Sequence, residues 1–253
     1  MNLQALIFDV DGTLADTERD GHRPAFNAAF ADAGLDWNWD IPLYGDLLSV
    51  TGGKERIRFY LEKYRPEFPL PENSDAWIAS LHQAKTRHYV RLLSEGLIPL
   101  RPGVKRLLDE ARQAGMRLAI ATTTTPENVT ALLEATLGRE SLSWFEVIAA
   151  GDIVPKKKPD PAIFTYALEA LQLPAEACIA FEDSRNGFLS SQGAGLRTVV
   201  TVNDYTRQDD FSGAMTILES LGEPDAPAAC LNAQGSNLCV NMSVLSELAK
   251  TIK

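Results

Sequence analysis

The chain has 253 residues, of which 45% are hydrophobic and 23% charged, a composition typical of a globular protein with one large domain or a core and an insert. Lysines and arginines number 24 against 34 aspartates and glutamates, which gives a formal net charge of −10. This acidity argues against nucleic acid or an anionic membrane surface as a partner. An anionic substrate would therefore need cations gathered locally at its site.

The N-terminal segment and the cysteines predict a reduced, cytoplasmic protein. The first residues, MNLQALIFDV, lack a cationic leader region, and no apolar stretch approaches the roughly 18 residues of a membrane span. The three cysteines show no metal-ligand spacing. Cys178 opens an apolar run and is predicted to be a small buried hydrophobe. Cys230 and Cys239 lie in a tail with Gly, Ser and Asn, where a disulfide stays open with little to support it.

Short apolar runs that end at polar residues predict the strands. The first covers residues 3–8 and stops at Asp9, and its continuous hydrophobicity is typical of a strand buried on both faces. Similar runs follow at 117–121, 146–149, 178–181 and 197–202. Helical periodicity occupies the intervals 103–114, 127–137, 161–171 and 186–192. This alternation predicts an α/β fold, in which helices cover both faces of a parallel sheet.

One interval breaks the alternation of strands and helices. Helical patterns at 22–33, 54–64 and 75–94 follow the first strand, without a convincing strand among them. We therefore predict an all-helical insert at 15–97 and an α/β core made of residues 1–14 and 98–253. Within the core, the Gly-, Pro-, Ala- and Asn-rich segment 222–237 is predicted to be a loop, and a last helix is expected at 243–250.

Polar side chains follow the first four predicted strands at the point where each one ends. In chain order they are Asp9, Asp11, Gly12 and Thr13; Thr122, Thr123 and Thr124; Asp152 with the run Lys156-Lys157-Lys158-Pro159; and Glu182 with Asp183. Because the carboxyl ends of parallel strands meet at one edge of a sheet, we expect these groups to lie close together.

The residue types at this edge predict phosphoryl chemistry assisted by a metal ion. Clustered carboxylates repel one another unless a cation neutralises them, and oxygen ligands without His or Cys suit Mg²⁺. Thr122 can donate a hydrogen bond to a phosphoryl oxygen, and a lysine can neutralise developing charge. One carboxylate can act as nucleophile and another as general acid and base. The alternative, that Asp9 and Asp11 merely cap a turn, is weakened by the matching groups on three other strand ends.

These groups resemble the four motifs of the haloacid dehalogenase-like superfamily. DVDGTL at residues 9–14 is similar to the first motif, and Thr122, Lys158 and Glu182-Asp183 match the second, third and fourth in order. The resemblance implies a Rossmann-like core with a four-helix cap. It further implies that Asp9 is the nucleophile that becomes phosphorylated, and that Asp11 first protonates the leaving group and then activates water.

The resemblance also implies how the phosphoryl group and the metal are held. Thr122 and Lys158 would hold the transferring group, and Lys158 is chosen over its two neighbours because Pro159 follows it, as in the family motif. Mg²⁺ would be bound by Asp9, by the backbone carbonyl of Asp11, by Asp183 and by Glu182, the last directly or through water.

Because the net charge is negative, cations that bind an anionic substrate must come from particular residues of the cap. In the segment TGGKER at residues 51–56, two glycines would let the backbone approach an anion, while Lys54 and Arg56 add charge near a helix start. The alternative is an ordinary helix start with solvated cations. Lys85 could reach inward from mid-helix, although a surface position is the default for a lysine considered alone. Glu18 and His22 could bind sugar hydroxyls at the hinge, although a structural histidine is the default interpretation. The predicted substrate-binding residues are Glu18, His22, Gly52, Gly53, Lys54, Arg56, Lys85, Thr122, Thr123 and Lys158.

Four cap segments resemble the CbbY group within this superfamily: Asp16-Thr17-Glu18, HRPAFN at 22–27, TGGKER at 51–56 and AKT at 84–86. Members of that group hydrolyse xylulose 1,5-bisphosphate, a misfire product that inhibits Rubisco. The resemblance implies that the region of Lys54 and Arg56 anchors a second phosphate while Asp9 attacks the first, in a Calvin-cycle setting.

Two other functions stay open. A β-phosphoglucomutase-like enzyme would use the same core but return the phosphoryl group to a second hydroxyl. A non-catalytic binding module on this fold would usually lack one of Asp9, Asp11, Lys158 or Asp183, and all four are present. We expect Mg²⁺ as cofactor, a small phosphorylated sugar as substrate, and a monomer.

Overall fold

A six-stranded parallel sheet forms the centre of the computed structural model, which describes residues 3–233 and 235–251. The strands are β1 (Ala5–Phe8), β2 (Arg117–Ala121), β3 (Phe145–Ala149), β4 (Cys178–Glu182), β5 (Arg197–Thr201) and β6 (Thr216–Leu218). Their order is β3-β2-β1-β4-β5-β6. Strand succession therefore reverses beside β1, where a parallel sheet opens a crevice at its carboxyl edge.

Helices cover both faces of the sheet, which explains the continuous hydrophobicity of its strands. One face packs against α5 (Val104–Gln113), α6 (Pro126–Leu137) and α9 (Met242–Thr251), with Phe8 and Phe181 stacked in the middle. The other face packs against α7 (Ala162–Leu171), while α8 (Arg185–Gly193) covers β5. The predicted α/β fold is confirmed, and β6 is a strand that the sequence interpretation missed.

The segment between β1 and α5 is helical, as predicted. It contains a π-helical turn (Glu18–His22), α1 (Arg23–Asp32), α2 (Ile41–Leu47), α3 (Gly53–Tyr64) and α4 (Ser74–Ser94). An aromatic cluster around Trp39 joins these helices, with Phe26, Phe30 and Tyr60 at ring-centroid distances of 4.7, 4.8 and 5.3 Å. The two connections to the core meet in an antiparallel bridge between Ala15 and Leu100. The domain limits at 15–97 stay a prediction.

The predicted loop at 222–237 is wrong in part. Ala228–Ala229 forms β7, which pairs antiparallel with β8 (Asn237–Leu238), and the amide of Leu231 donates to the carbonyl of Ile217 on edge strand β6 at 2.7 Å. Short strands without a clear alternation gave no periodic signal here. The predicted ends of the core, residues 1–2 and 252–253, and Gln234 of the predicted loop lie outside the described residues.

The cysteines are free thiols. Cys178 is fully buried in β4, as predicted. The register of the hairpin explains why Cys230 and Cys239 do not pair, because the amide of Cys230 bonds to the carbonyl of Ser236 while Cys239 lies beyond the end of β8. None of the helices in the described part of the chain combines the length and hydropathy that a bilayer crossing requires.

Candidate active site

The predicted catalytic groups converge at the carboxyl ends of β1, β2 and β4. Asp9 follows β1, and its amide bonds to the carbonyl of Phe181 on β4 at 3.0 Å. The ammonium of Lys158, from the loop after β3, lies 2.6 Å from a carboxylate oxygen of Asp9 and 2.6 Å from one of Glu182. All three side chains are buried. Lys158 therefore bridges the predicted nucleophile and a predicted metal ligand.

The carboxylates of Asp9, Glu182 and Asp183 present oxygens that lie within 4.8 Å of one another. Burial raises the pKa of Asp9 against the opposing effect of Lys158, it raises the pKa of Glu182 to about 8, and it raises that of Asp183 well above its ordinary value. Repulsion from Asp9 adds to the rise in the pKa of Glu182, and repulsion from Asp9 and Glu182 adds to the rise in the pKa of Asp183. Such a cluster favours a cation, and its hard oxygen donors fit Mg²⁺.

The backbone at Gly12 packs closely against Asp183, one of the predicted metal ligands. A Cβ atom on Gly12, whose φ is +81°, would lie 2.1 Å from a carboxylate oxygen of Asp183. Only glycine fits this turn, which explains the D-x-D-G pattern in physical terms. The side-chain amide of Asn203 donates to the same oxygen of Asp183 at 2.7 Å.

Asp11 is held apart from the three clustered carboxylates. One oxygen of its carboxylate accepts a hydrogen bond from the hydroxyl of Thr17 at 2.6 Å and lies 2.8 Å from Nε2 of His22. Burial alone would raise the pKa of Asp11, but His22, Thr17 and the charge of Lys85 together lower it. In this arrangement Asp11 is a carboxylate, the form of a general base.

Lys85 continues this chain of contacts into the cap. Its ammonium lies 2.7 Å from Nδ1 of His22 and 5.1 Å from the ring centroids of Phe26 and Tyr89. Burial lowers the pKa of Lys85 to about 8, so at neutral pH it is an ammonium that can only donate. His22 must then accept at Nδ1 and carry its proton on Nε2, which donates to Asp11. Lys85 is therefore buried rather than on the surface, and its predicted role in substrate binding stays a prediction.

Core and cap together enclose a cavity of about 310 Å³. The core contributes Asp9, Asp11, Thr122, Thr123, Lys158 and Asp183, and the cap contributes Glu18, Gly45, Leu48, Ser49, Thr51 and Arg56. The side-chain amide of Asn186, on the core, donates to the carbonyl of Ser49 and to the hydroxyl of Thr51 on the cap, at 3.1 and 3.0 Å. Lys158 contributes a cation to the core part of this lining and Arg56 one to the cap part, as an anionic substrate of an acidic protein requires.

Thr122 and Thr123 follow β2 and line the cavity beside Asp9. The amide of Thr122 bonds to the carbonyl of Ala149 on β3 at 2.9 Å, which fixes its backbone, and its side chain is buried. The hydroxyl of Thr13 is buried without a hydrogen-bond partner among the described residues.

Lys54 and the two glycines lie outside this cavity. Lys54 pairs with Asp152 at 2.7 Å, which also pairs with Lys157 at 2.6 Å, and these residues line a separate groove with Gly52, Gly53 and His82. The separation has a simple cause: Lys54 and Arg56 are two residues apart on α3, and side chains at that spacing point to different sides of a helix. The role predicted for Lys54 stays a prediction.

Several residues in the site were missed by the sequence interpretation. Tyr44 bonds to both Glu18 and Arg56, Asn203 orients Asp183, and Asn186 joins cap and core. Asn203 follows the predicted fifth strand, so the same rule that selected Asp9 could have selected it. Tyr44 and Asn186 act through contacts with distant parts of the chain, which no local pattern encodes.

The family model for haloacid dehalogenase-like hydrolases matches residues 3–195. CbbY of Rhodobacter capsulatus is 54% identical over 214 residues, which cover 85% of this chain and 92% of that protein. The plasmid-encoded CbbY of Cupriavidus necator is 50% identical, over 89% of this chain and 88% of that protein.

Solved structures give the same relationship. The crystal structure of CbbY from Rhodobacter sphaeroides in complex with phosphate has a TM-score of 0.80 at 49% identity, and covers 86% of this chain and 94% of its own. A mutant of that protein has been solved with xylulose 1,5-bisphosphate at the same similarity. A β-phosphoglucomutase from Clostridium difficile shares the fold, with a TM-score of 0.73 at 20% identity over 98% of this chain and 97% of its own.

Proposed function

This chain belongs to the haloacid dehalogenase-like hydrolase family, and on that premise we propose that it hydrolyses xylulose 1,5-bisphosphate to xylulose 5-phosphate through an aspartyl-phosphate on Asp9. It is a phosphatase, that is, a phosphoric monoester hydrolase. The observation that carries the proposal is the contact of Lys158 with both Asp9 and Glu182, at 2.6 Å each, in a cavity that Arg56 also lines.

The proposed cofactor is Mg²⁺. Asp9, Asp183, Glu182 and the backbone carbonyl of Asp11 would hold it, and the bound ion would neutralise charge on the carboxylates and on the phosphoryl oxygens. Lys158 would stay cationic throughout, because Asp9 and Glu182 raise its pKa despite its burial.

The first half of the proposed reaction transfers the phosphoryl group to the protein. A carboxylate oxygen of Asp9 forms a bond to phosphorus while the bond from phosphorus to the sugar oxygen breaks. Asp11 gives its proton to the departing oxygen, so the sugar leaves as an alcohol. Lys158 and the hydroxyl of Thr122 bind the equatorial phosphoryl oxygens, which carry the developing charge.

The proton for this step requires a change at Asp11. Thr17 and His22 both stabilise its carboxylate form at 2.6 and 2.8 Å, so Asp11 can be an acid only after substrate has altered these contacts. This requirement ties protonation of Asp11 to the presence of substrate under the cap, and it disfavours premature turnover.

The second half of the reaction returns the protein to its starting state. Asp11, now a carboxylate, takes a proton from water, whose oxygen attacks phosphorus as the bond to Asp9 breaks. Inorganic phosphate leaves, Asp9 is again a carboxylate, and Asp11 again carries a proton in place of the one that it gave to the sugar oxygen. The helical insert, residues 15–97, would act as the lid that excludes bulk water while the first alcohol departs.

The substrate is proposed from the relatives and from the cap. CbbY proteins at 49 to 54% identity include one solved with xylulose 1,5-bisphosphate, a sugar with a phosphate at each end. In this chain Arg56 belongs to the cap part of the cavity lining and Lys158 to the core part. We assign the attacked phosphate to the side of Asp9 and Lys158, and the second phosphate to the side of Arg56.

The test is phosphate release by the purified protein with and without Mg²⁺. We expect fast release from xylulose 1,5-bisphosphate and slow release from β-glucose 1-phosphate, with loss of activity in Asp9→Asn. Asp75→Asn is the matched control, since this exposed carboxylate of α4 pairs only with Arg58 among the contacts described. Conversion of β-glucose 1-phosphate to glucose 6-phosphate with little free phosphate would instead establish a mutase.

A further inference from the structure

Three polar side chains form a row on the cap side of the cavity. The hydroxyl of Tyr44, on α2, lies 2.5 Å from a carboxylate oxygen of Glu18 and 2.7 Å from Nη1 of Arg56. Glu18 and Arg56 line the cavity, while Tyr44 is fully buried behind them. The same carboxylate oxygen of Glu18 is 3.5 Å from Nη1 of Arg56, so the ion pair is a single contact, and the hydroxyl of Tyr44 bonds to both of its atoms.

The chemistry of the three groups fixes the direction of both hydrogen bonds. A guanidinium has only donors and a carboxylate has only acceptors, so the hydroxyl must accept from Arg56 and donate to Glu18. Burial raises the pKa of Tyr44 well above its ordinary value, which keeps that proton in place. No other side chain of this size can accept and donate here without a change in charge.

The surroundings hold Tyr44 rigidly. Its ring packs against Phe26 and Trp39 at centroid distances of 6.4 and 6.0 Å, and the guanidinium carbon of Arg56 lies 5.1 Å above it. Arginine and carboxylate favour a two-pronged pair that neutralises both partners. Because the hydroxyl of Tyr44 is fixed, Arg56 and Glu18 make one contact instead of two. Some N–H groups of the guanidinium are then left to bind another acceptor.

That capacity is unused in this structure. Nε of Arg56 is buried without a hydrogen-bond partner among the described residues, and Nη2 has only a 3.5 Å contact with the carbonyl of Val50. A buried donor without a partner is costly, and a buried guanidinium beside a cavity invites an anion. Lys158 lines the same cavity from the core, so we assign that anion as the second charged group of a substrate.

We propose that Tyr44 is a positioning residue that makes the enzyme select substrates with two phosphates over those with one. It acts through Arg56, which it limits to a single contact with Glu18 and directs toward the second phosphate. This inference rests on the proposed phosphatase function and names a determinant of its specificity.

The experiment compares Tyr44→Phe with Tyr64→Phe. The control removes a phenol–carboxylate contact of the same kind, since the hydroxyl of Tyr64 lies 2.6 Å from Asp46 on the outside of the cap. In Y44F we expect KM for xylulose 1,5-bisphosphate to rise about ten-fold or more, with kcat changed less than about three-fold. For xylulose 1-phosphate, which lacks the second phosphate, kcat/KM should stay unchanged. Y64F should match wild type with both substrates.

Other outcomes distinguish a failure of the proposed phosphatase function from a failure of the role assigned to Tyr44. If wild type releases no phosphate from either sugar, the proposed function fails. If wild type is active and Y44F behaves like Y64F, or loses both substrates equally, the role of Tyr44 is overturned and the phosphatase stands. Should Y44F fail to fold, Arg56→Lys serves, because it keeps the charge but removes the fork that Tyr44 directs. Unchanged preference for the bisphosphate in R56K would equally overturn the inference.

Discussion

Lys85 occupies a position where globular proteins ordinarily place an apolar side chain. It is only 4% exposed, and its nearest polar partner is a histidine ring. Burial accordingly lowers its pKa from 10.5 to about 8. At neutral pH the folded state therefore carries the cost of a buried ammonium, which the charges of Asp11 and Glu18 only partly offset.

Lys85→Met should stabilise the protein at pH 7 by about 3 kcal/mol. Between pH 8 and 10.5 the unfolded chain keeps a proton that folded Lys85 has lost, so the wild-type protein gains stability as pH rises through this window. The advantage of the variant should consequently shrink toward zero near pH 10.5. Urea unfolding of both proteins at several pH values measures the difference.

The control for this measurement is Lys105→Met, whose side chain is 63% exposed on α5. It should differ from wild type by less than about 0.5 kcal/mol at each pH. If the difference in the free energy of unfolding between K85M and wild type stayed constant from pH 7 to 10.5, burial of the Lys85 ammonium would not be its cause.

The inward orientation of Lys85 was within reach of the sequence. Along α4 the buried residues Ile78, Leu81, Lys85 and Tyr89 recur every three or four positions, so helical periodicity places Lys85 on the core face. Charge made a surface position the default, and the structure instead buries the side chain against His22. Tyr44 had no such signal, because a buried tyrosine looks the same in sequence whether its hydroxyl acts or not.

At the scale of the element, α8 is shaped by the carboxylate that precedes it. Its N-cap is Ser184, whose hydroxyl accepts from the amide of Gly187 at 3.2 Å. A Cβ atom on Gly187 would lie 1.9 Å from a carboxylate oxygen of Glu182. The first turn of the helix therefore leaves space for the side chain that binds Lys158.

Gly187→Ala should displace Glu182 and with it the contact to Lys158. We expect a loss of 1 to 3 kcal/mol in the free energy of unfolding, roughly the cost of overpacking a core site, and a fall of about ten-fold or more in phosphate release. Gly193→Ala in the same helix should stay within about 1 kcal/mol of wild type, since its Cβ would come no closer than 3.3 Å to Pro161. Equal effects of the two substitutions would remove the steric explanation.

The strands were predictable and some helices were not, for physical reasons. A strand buried on both faces must be apolar at every position, so β1, β2 and β4 stand out in the sequence. Helix α2 has seven residues with Pro42 and Gly45 among them, too few for a 3.6-residue period. Its available signal was Asp40, which caps the helix by accepting from the amide of Leu43 at 2.9 Å.

At the scale of the whole molecule, Arg101 connects separate chain segments at the carboxyl edge of the sheet through hydrogen bonds. Its guanidinium donates to the carbonyls of Gly12, Thr201, Val202 and Glu219, the last three at 2.9, 2.6 and 2.7 Å. These carbonyls belong to the first motif and to the segments around the ends of β5 and β6. One buried cation thus holds three loops that share no neighbouring sequence.

Arg101→Met should lower the free energy of unfolding by about 3 to 5 kcal/mol, because it leaves several buried carbonyls without a donor. Arg91→Met, whose side chain is 76% exposed on α4, should change it by less than about 0.5 kcal/mol. Chemical denaturation gives both values. A loss below 1 kcal/mol in R101M would show that water or neighbouring groups replace the guanidinium.

The bridge between Ala15 and Leu100 has a consequence for how such enzymes diversify. Both connections of the insert leave and rejoin the core side by side, so an exchange of the intervening segment would leave the strands in place. Selection could then change the range of accepted sugars while the phosphoryl chemistry is inherited intact. Tyr89 and Leu93 limit that freedom, because they belong to the apolar cluster of the sheet. A replacement insert would have to supply an equivalent of α4, which makes this helix a part of the cap that recombination must preserve.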